Sequence, residues 1–231
     1  MEFISKFLEF ISNFGHIAVL LLDGVRYTLT LFFATALLSI PLGFLITFCR
    51  ISRNRVVKGI SGIYVWIMRG TPLLLQLYFF YYGLTFIPVI GPYLTMDRMT
   101  AAIVAFILNY AAYFCEIFRG GLLTIDQGQY EAARVLGFSK SQTFFRIVLP
   151  QLIRVTLPSV SNEVITLVKD TALVTAIGVT AILYFAKATV NREVDASAYL
   201  VAAVFYLVMN FAVTKFFAWL EKRSNYIDMA R

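Results

Sequence analysis

The 231-residue chain is 60% hydrophobic, 16% aromatic and only 14% charged, and its mean hydropathy of +0.78 excludes an ordinary water-soluble domain or a disordered segment. Twenty Lys and Arg against thirteen Asp and Glu give a formal charge of +7, but the cations form no contiguous patch, which argues against nucleic-acid binding. The single histidine, His16, excludes metal sites built on His, and Cys49 and Cys115 stand alone in apolar stretches and read as small buried hydrophobes.

Residues 1–13 place Phe3, Ile4, Phe7, Leu8, Phe10 and Ile11 opposite Glu2, Lys6, Glu9 and Asn13. This pattern predicts an interfacial amphipathic helix. The competing reading, a cleaved signal peptide, lacks a basic start. A first span, capped by Asp23, follows up to Arg50, with a kink expected at Pro41 and Gly43. The apolar run 59–68 is too short to cross a bilayer, and Arg69-Gly70-Thr71-Pro72 then opens a new helix with Pro72 as its first residue. This keeps Arg69 at headgroup level; one long span from 59 to 82 would bury it.

A second span is expected from Leu73 to about Ile87, ending in a turn-rich loop at 88–97, and a third from Met99 to about Gly121. On the third, Asn109, Tyr110, Tyr113 and Glu116 fall along one side, and Glu116 and Arg119 are spaced to pair.

The stretch 126–150, DQGQYEAARVLGFSKSQTFFRIVLP, is a charged stretch between two membrane-length segments. Asp126 with Gln129 reads as a capping box that starts a helix near Gln127, and Gly137 stops it. Ser139 with Gln142 repeats the capping signal, so a second helix is expected from Lys140 to Leu149, with a break or kink at Pro150. Helices this short need something to pack against. Within the stretch, Glu131, Ala132, Ala133, Gly137, Ile147, Leu149 and Pro150 stand in the spacing E-A-A, three residues, G, nine residues, I-x-L-P.

A fourth span begins after Pro150. Ser159, Glu163, Thr166 and Asp170 recur at i, i+4, i+7 and i+11, one polar stripe on an otherwise apolar helix, with Asn162 beside it. An ionisable group at membrane depth must face a partner, a cavity or a pathway. A carboxylate there could meet the ammonium group of an amino acid or a cationic side chain. The alternative reading is that Glu163 is protonated or hydrogen-bonded between helices and that Lys169 and Asp170 make structural ion pairs. Gly178 predicts a break into a further short helix or re-entrant piece, and a fifth span, 198–214, ends at Trp219 and Glu221-Lys222-Arg223. Five spans, with the N-terminus outside and the C-terminus in the cytoplasm, satisfy the positive-inside rule: thirteen basic residues fall inside and five outside. No linker divides the chain, so residues 1–231 read as one transmembrane domain.

Absences narrow the function. No glycine is followed by lysine, so there is no phosphate-binding loop, and no Ser/His/Asp set supports an intramembrane enzyme. A secondary transporter or channel built on the polar stripe remains as an alternative, but it leaves the capped hairpin at 126–150 without a purpose.

The hairpin motif resembles the cytoplasmic coupling loop of the membrane subunits of ATP-binding-cassette importers. The runs RGTPLLLQLYFFYYGL, AAYFCEIFRGGLLTIDQGQYEAARVLGFS and RIVLPQLIRVTLPSVSNEVITLVKDTALVTAIG are similar to the branch that imports polar amino acids. Ala172 departs from that branch, where a serine is common, and the match is loose after Thr180. The resemblance implies an all-α membrane protein of the type I importer class, with five transmembrane helices and a cytoplasmic coupling hairpin. It implies a multi-pass permease in a prokaryotic cell membrane, paired with an identical or homologous second membrane subunit. An ATPase dimer would bind ATP and Mg in place of this chain, and an extracytoplasmic amino-acid-binding protein would deliver substrate. The candidate coupling residues are then Glu131, Ala132, Ala133, Gly137, Ile147, Leu149 and Pro150. The pathway candidates are Glu163, Asn162, Asp170, Ser159 and Thr166.

Overall fold

A computed structural model describes the backbone of residues 2–89 and 91–229 and the side chains of residues 13–89 and 91–224. Every regular element among them is helical: α1 (Glu2–Arg50), α2 (Arg55–Gly70), α3 (Leu73–Tyr78), α4 (Arg98–Thr124), α5 (Gln127–Val135), α6 (Lys140–Thr143), α7 (Leu149–Asp170), α8 (Ile182–Glu193) and α9 (Ser197–Met229). Residues Asn13–Arg50, Arg98–Thr124 and Ser197–Ser224 are long and apolar enough to cross a membrane. Two bent pairs bring the candidate spans to five: Arg55–Gly70 with Leu73–Phe86, bent by 107°, and Lys140–Ile177 with Ile182–Glu193, bent by 54°.

Several boundaries differ from expectation. The N-terminal helix and first span are one continuous helix, α1, with Asp23 exposed in its middle and not at its start. Leu20–Leu22 carry the helix up to Asp23, and the packing of Leu21 and Gly24 against α8 holds it through the weak helix former Gly24. Of the amphipathic face expected over residues 1–13, only Asn13 lies within the described side chains. The break at 69–72 falls where expected, but Pro72 is the cap preceding α3, its carbonyl accepting from the N–H groups of Leu75 and Gln76. After α3 the helix widens into a π turn at Phe79–Gly83 and tightens into a 3-10 turn at Leu84–Phe86. This piece alone is shorter than the ~30 Å hydrocarbon core, since a helix rises only about 1.5 Å per residue. The polar stretch departs in a similar way. No break occurs at Pro150, because Phe144–Val148 form a π turn that leads directly into α7. Proline removes one N–H and crowds the carbonyl four residues back, and a wider turn just upstream accommodates both.

The chain forms two compact units, residues 1–36, 72–106 and 166–212, and residues 37–71, 107–165 and 213–231. In the first, Ile17 and Leu21 of α1 pack with Ile182 and Ala186 of α8 and with Ala198, Val201 and Ala202 of α9. α8 has Ala181 at its cap position, which offers no side-chain acceptor. Thr28 of α1 substitutes: its hydroxyl accepts from the Ile182 N–H at 3.2 Å while donating to the Gly24 carbonyl at 3.0 Å. That approach requires Gly24, where a Cβ would stand 2.6 Å from the Ile182 nitrogen. Gly24→Ala is therefore expected to destabilise the protein by about 1–3 kcal/mol through overpacking. Gly15→Ala, where a Cβ meets nothing within 4 Å, is expected to be neutral or stabilising by about 0.5 kcal/mol. Thermal unfolding in detergent separates the two.

Also in this unit, Gly178 adopts φ +77° and closes the 3-10 turn Thr171–Ile177, which produces the break expected after α7. Arg98 donates to the Gly178 carbonyl and to the Tyr81 hydroxyl, both at 3.3 Å. Asp195 accepts from Ser197 at the start of α9 and from Asn13. Those hydrogen bonds, from Ser197 foremost, hold its carboxyl below the usual carboxylate range.

In the second unit, α1 meets α4 at Gly43, where a Cβ would lie 2.7 Å from the Ala111 carbonyl oxygen. Thr47 donates to the carbonyls of Gly43 and Cys115. α2 packs on α4 through Val65, Ala112 and Cys115. There the Tyr64 hydroxyl donates to the Leu108 carbonyl at 2.6 Å, and the Asn109 amide donates to the Met68 carbonyl at 3.0 Å. Asn109 is thus a tie between helices.

Candidate functional site

Residues 126–148 form the helical hairpin that the caps announce. The Asp126 side chain accepts from the Gly128 N–H and starts α5. Gln129 does not complete the expected box, because its side-chain oxygen accepts from Gln151 at 3.4 Å. Gly137 has φ +77°; its N–H donates to the Arg134 carbonyl and that of Phe138 to the Ala133 carbonyl. This pair of bonds is the Schellman closure, which needs a residue at ease in the left-handed region. At α6 the box is complete: Ser139 accepts from the Gln142 N–H, and Gln142 accepts from the Ser139 N–H at 2.8 Å.

The motif residues divide by direction. Ala133 is buried, and Leu149 packs with Tyr130 and Phe144 against the core of Ile125, Val148 and Leu152. Phe144 also meets Phe48 of α1, ring centroids 5.6 Å apart. Glu131, Ala132, Gly137 and Pro150 are exposed, and Ile147 is half-buried. The spacing gave no hint of two further residues: Val135 and Leu136, at the tip between α5 and α6, are 87% and 73% exposed. Water around an apolar tip of this kind is costly, so the hairpin presents a surface suited to a partner. A cleft of about 590 Å³ opens beside it, bounded by Tyr130, Arg134, Phe138, Lys140 and Phe144.

The polar stripe lies on α7. Ser159, Asn162 and Lys169 are exposed, while Glu163, Thr166 and Asp170 are half-buried. Glu163 and Asp170 both engage neighbouring groups. A helix at membrane depth cannot leave such a face against hydrocarbon, so water or another subunit must cover it. The candidate residues thus share one helix and one face.

Glu116 pairs with Arg119 at 2.6 Å as expected, and the structure adds Arg50, whose Nε lies 3.3 Å from the same carboxylate. Arg69, expected at headgroup level, stands over the Tyr113 ring at 5.2 Å. Tyr113 therefore serves a cation–π contact, which only its placement beside the break at 69–72 could have suggested.

Residues 39–226 match the family described as binding-protein-dependent transport system inner membrane component. The octopine transport system permease protein OccM of Rhizobium radiobacter is 38% identical over 219 residues, 90% of this chain and 89% of the relative. The L-cystine transport system permease protein TcyB of Bacillus subtilis (strain 168) is 33% identical over 88% of this chain and 86% of its own length. The arginine transport system permease protein ArtQ of the same strain is 40% identical over 158 residues, 68% of this chain and 70% of the relative. The crystal structure of an amino acid ABC transporter with histidines superposes with a TM-score of 0.82 at 30% identity, covering 94% of this chain and 98% of that one. The MetNI methionine ABC transporter in an inward-facing conformation, 21% identical, shares the fold with a TM-score of 0.72. The chain belongs to the family of inner membrane components of binding-protein-dependent transport systems, and its fold is that of the permease subunit of an ABC importer.

Proposed function

We propose that this chain forms the translocation pathway of an ATP-driven amino acid importer and works by alternating access. The observation that carries the reading is the hairpin: two capped helices closed by Gly137, with an apolar tip at Val135 and Leu136. The family gives that surface a reason to exist. A separate ATPase dimer binds ATP and Mg and grips the hairpins of two membrane subunits, identical or homologous. ATP binding draws the hairpins together and the pathway opens outward beneath a docked binding protein; after hydrolysis it opens inward. The hairpin and C-terminus lie in the cytoplasm and the N-terminus outside, as the distribution of basic residues favours.

The α7 face supplies the pathway. Glu163, with Asn162, Ser159, Thr166 and Asp170, offers carboxylate and neutral hydrogen-bonding groups suited to an ammonium or a cationic side chain. Relatives named for octopine and arginine fit that class. The test is reconstitution in liposomes with the ATPase and the binding protein. Uptake that requires both, with no ATP hydrolysis by this chain alone, is expected. Uptake driven by an ion gradient without the ATPase favours a secondary transporter and overturns the reading.

A further inference from the structure

We propose that the cleft at the start of α2 binds the headgroup of an anionic phospholipid. It measures about 510 Å³, with Arg55 and Lys58 towards one end, Ile63 and Trp66 towards the other, and Arg50 beside Gly62 between them. Arg55, Lys58, Gly62 and Trp66 follow at i, i+3, i+7 and i+11, so one face of α2 runs from cationic to apolar. Gly62 is part of the construction: a Cβ there would stand 3.3 Å from an Arg50 guanidinium nitrogen, which lies across the helix at this point. Arg50 is held in place by Glu116, but that carboxylate also serves Arg119 at 2.6 Å and does not line the cleft. Arg55 and Lys58 are exposed. No carboxylate lines the cleft, so the charge calls for an anion, and the positive end of the α2 dipole adds to it.

The other end identifies the kind of anion. Trp66 is 76% exposed in a helix that forms half of a bent span. On its other flank α2 borders an apolar groove of about 440 Å³ with Leu42, Ile46, Ile60 and Tyr64. A ligand that meets two cations at one end, a third beside Gly62 and hydrocarbon at the other end is an amphiphile. A free phosphate satisfies only the cationic end. Basic clefts at the membrane surface are worth about fivefold in affinity per cation toward anionic lipid, and Trp sits readily at that level. The proposal needs only that the chain lies in a bilayer, so its failure leaves the importer reading untouched.

The chain has two tryptophans, so Trp219→Phe leaves Trp66 as the sole fluorescent reporter. In phosphatidylcholine nanodiscs, brominated phosphatidylglycerol is expected to reach half-quenching of Trp66 at a mole fraction at least about fivefold lower than brominated phosphatidylcholine. Arg55→Gln with Lys58→Gln is expected to erase the preference and Arg55→Lys to retain it, with helical circular dichroism unchanged. Equal quenching by the two lipids, or a preference that survives the double substitution, overturns the proposal. So does a Trp66 response to inorganic phosphate in pure phosphatidylcholine discs without preference for the anionic lipid, which assigns the cleft to a soluble anion. Loss of the preference on adding the ATPase subunit assigns the face to a protein contact and also overturns it.

Discussion

Gly137→Asp is expected to leave the chain folded and inserted while uptake falls about tenfold or more, the scale of a lost coupling free energy. Gly137 has φ +77° and carries the Schellman closure between α5 and α6. A side chain in that region costs about 1 kcal/mol, and the carboxylate adds charge beside the apolar tip of Val135 and Leu136. Gly137→Asn separates the two effects, since asparagine tolerates the left-handed region and brings no charge. If charge at the tip is what matters, Asn restores most of the uptake; if the closure itself matters, Asn restores it only in part. ATP hydrolysis by the assembled importer, measured alongside uptake, is expected to continue without transport. Unchanged uptake and unchanged co-purification with the ATPase in the Asp variant would count against the coupling assignment.

Glu163→Gln is expected to lower uptake by roughly tenfold to a hundredfold, the worth of one charge-assisted hydrogen bond of about 1.5–3 kcal/mol, and to abolish substrate stimulation of ATP hydrolysis. Basal hydrolysis and binding of the ATPase are expected to persist, because the hairpin is separate from the α7 stripe along the chain. Ser159→Ala, on the exposed part of the same face, is expected to show a smaller loss, having no charge to remove. If Glu163→Gln transports normally and keeps its stimulation, the carboxylate is a structural group between helices and the pathway assignment fails.

The hairpin was legible because its signals are local. Asp126, Gly137 and Ser139 act on backbone within a few residues of themselves, so spacing alone reveals them. The α7 stripe was legible for the same reason, since a helical period fixes which residues share a face. What eluded the sequence depends on residues far apart in the chain. Thr28 caps α8 from 154 positions away, and Arg50 reaches Glu116 across 66. Pro150 misled because a proline signals a break only when nothing upstream makes room for it, and the π turn at Phe144–Val148 does. The exposure of Val135 and Leu136 was hidden too, because apolar residues in a short helix read as packing until the fold shows which side they take.

The account stands on a hairpin that a cytosolic ATPase can reach. Cys49 is exposed, contrary to the expectation of burial, and Cys115 is buried, so in a chain carrying Cys49→Ser the exposed Ser141 replaced by Cys gives a reporter outside the motif. A membrane-impermeant maleimide is expected to label it in inside-out vesicles and not in intact cells, and bound ATPase is expected to protect it. Labelling of intact cells from the external medium would contradict the account, because the hairpin would then lie on the face that no ATPase touches.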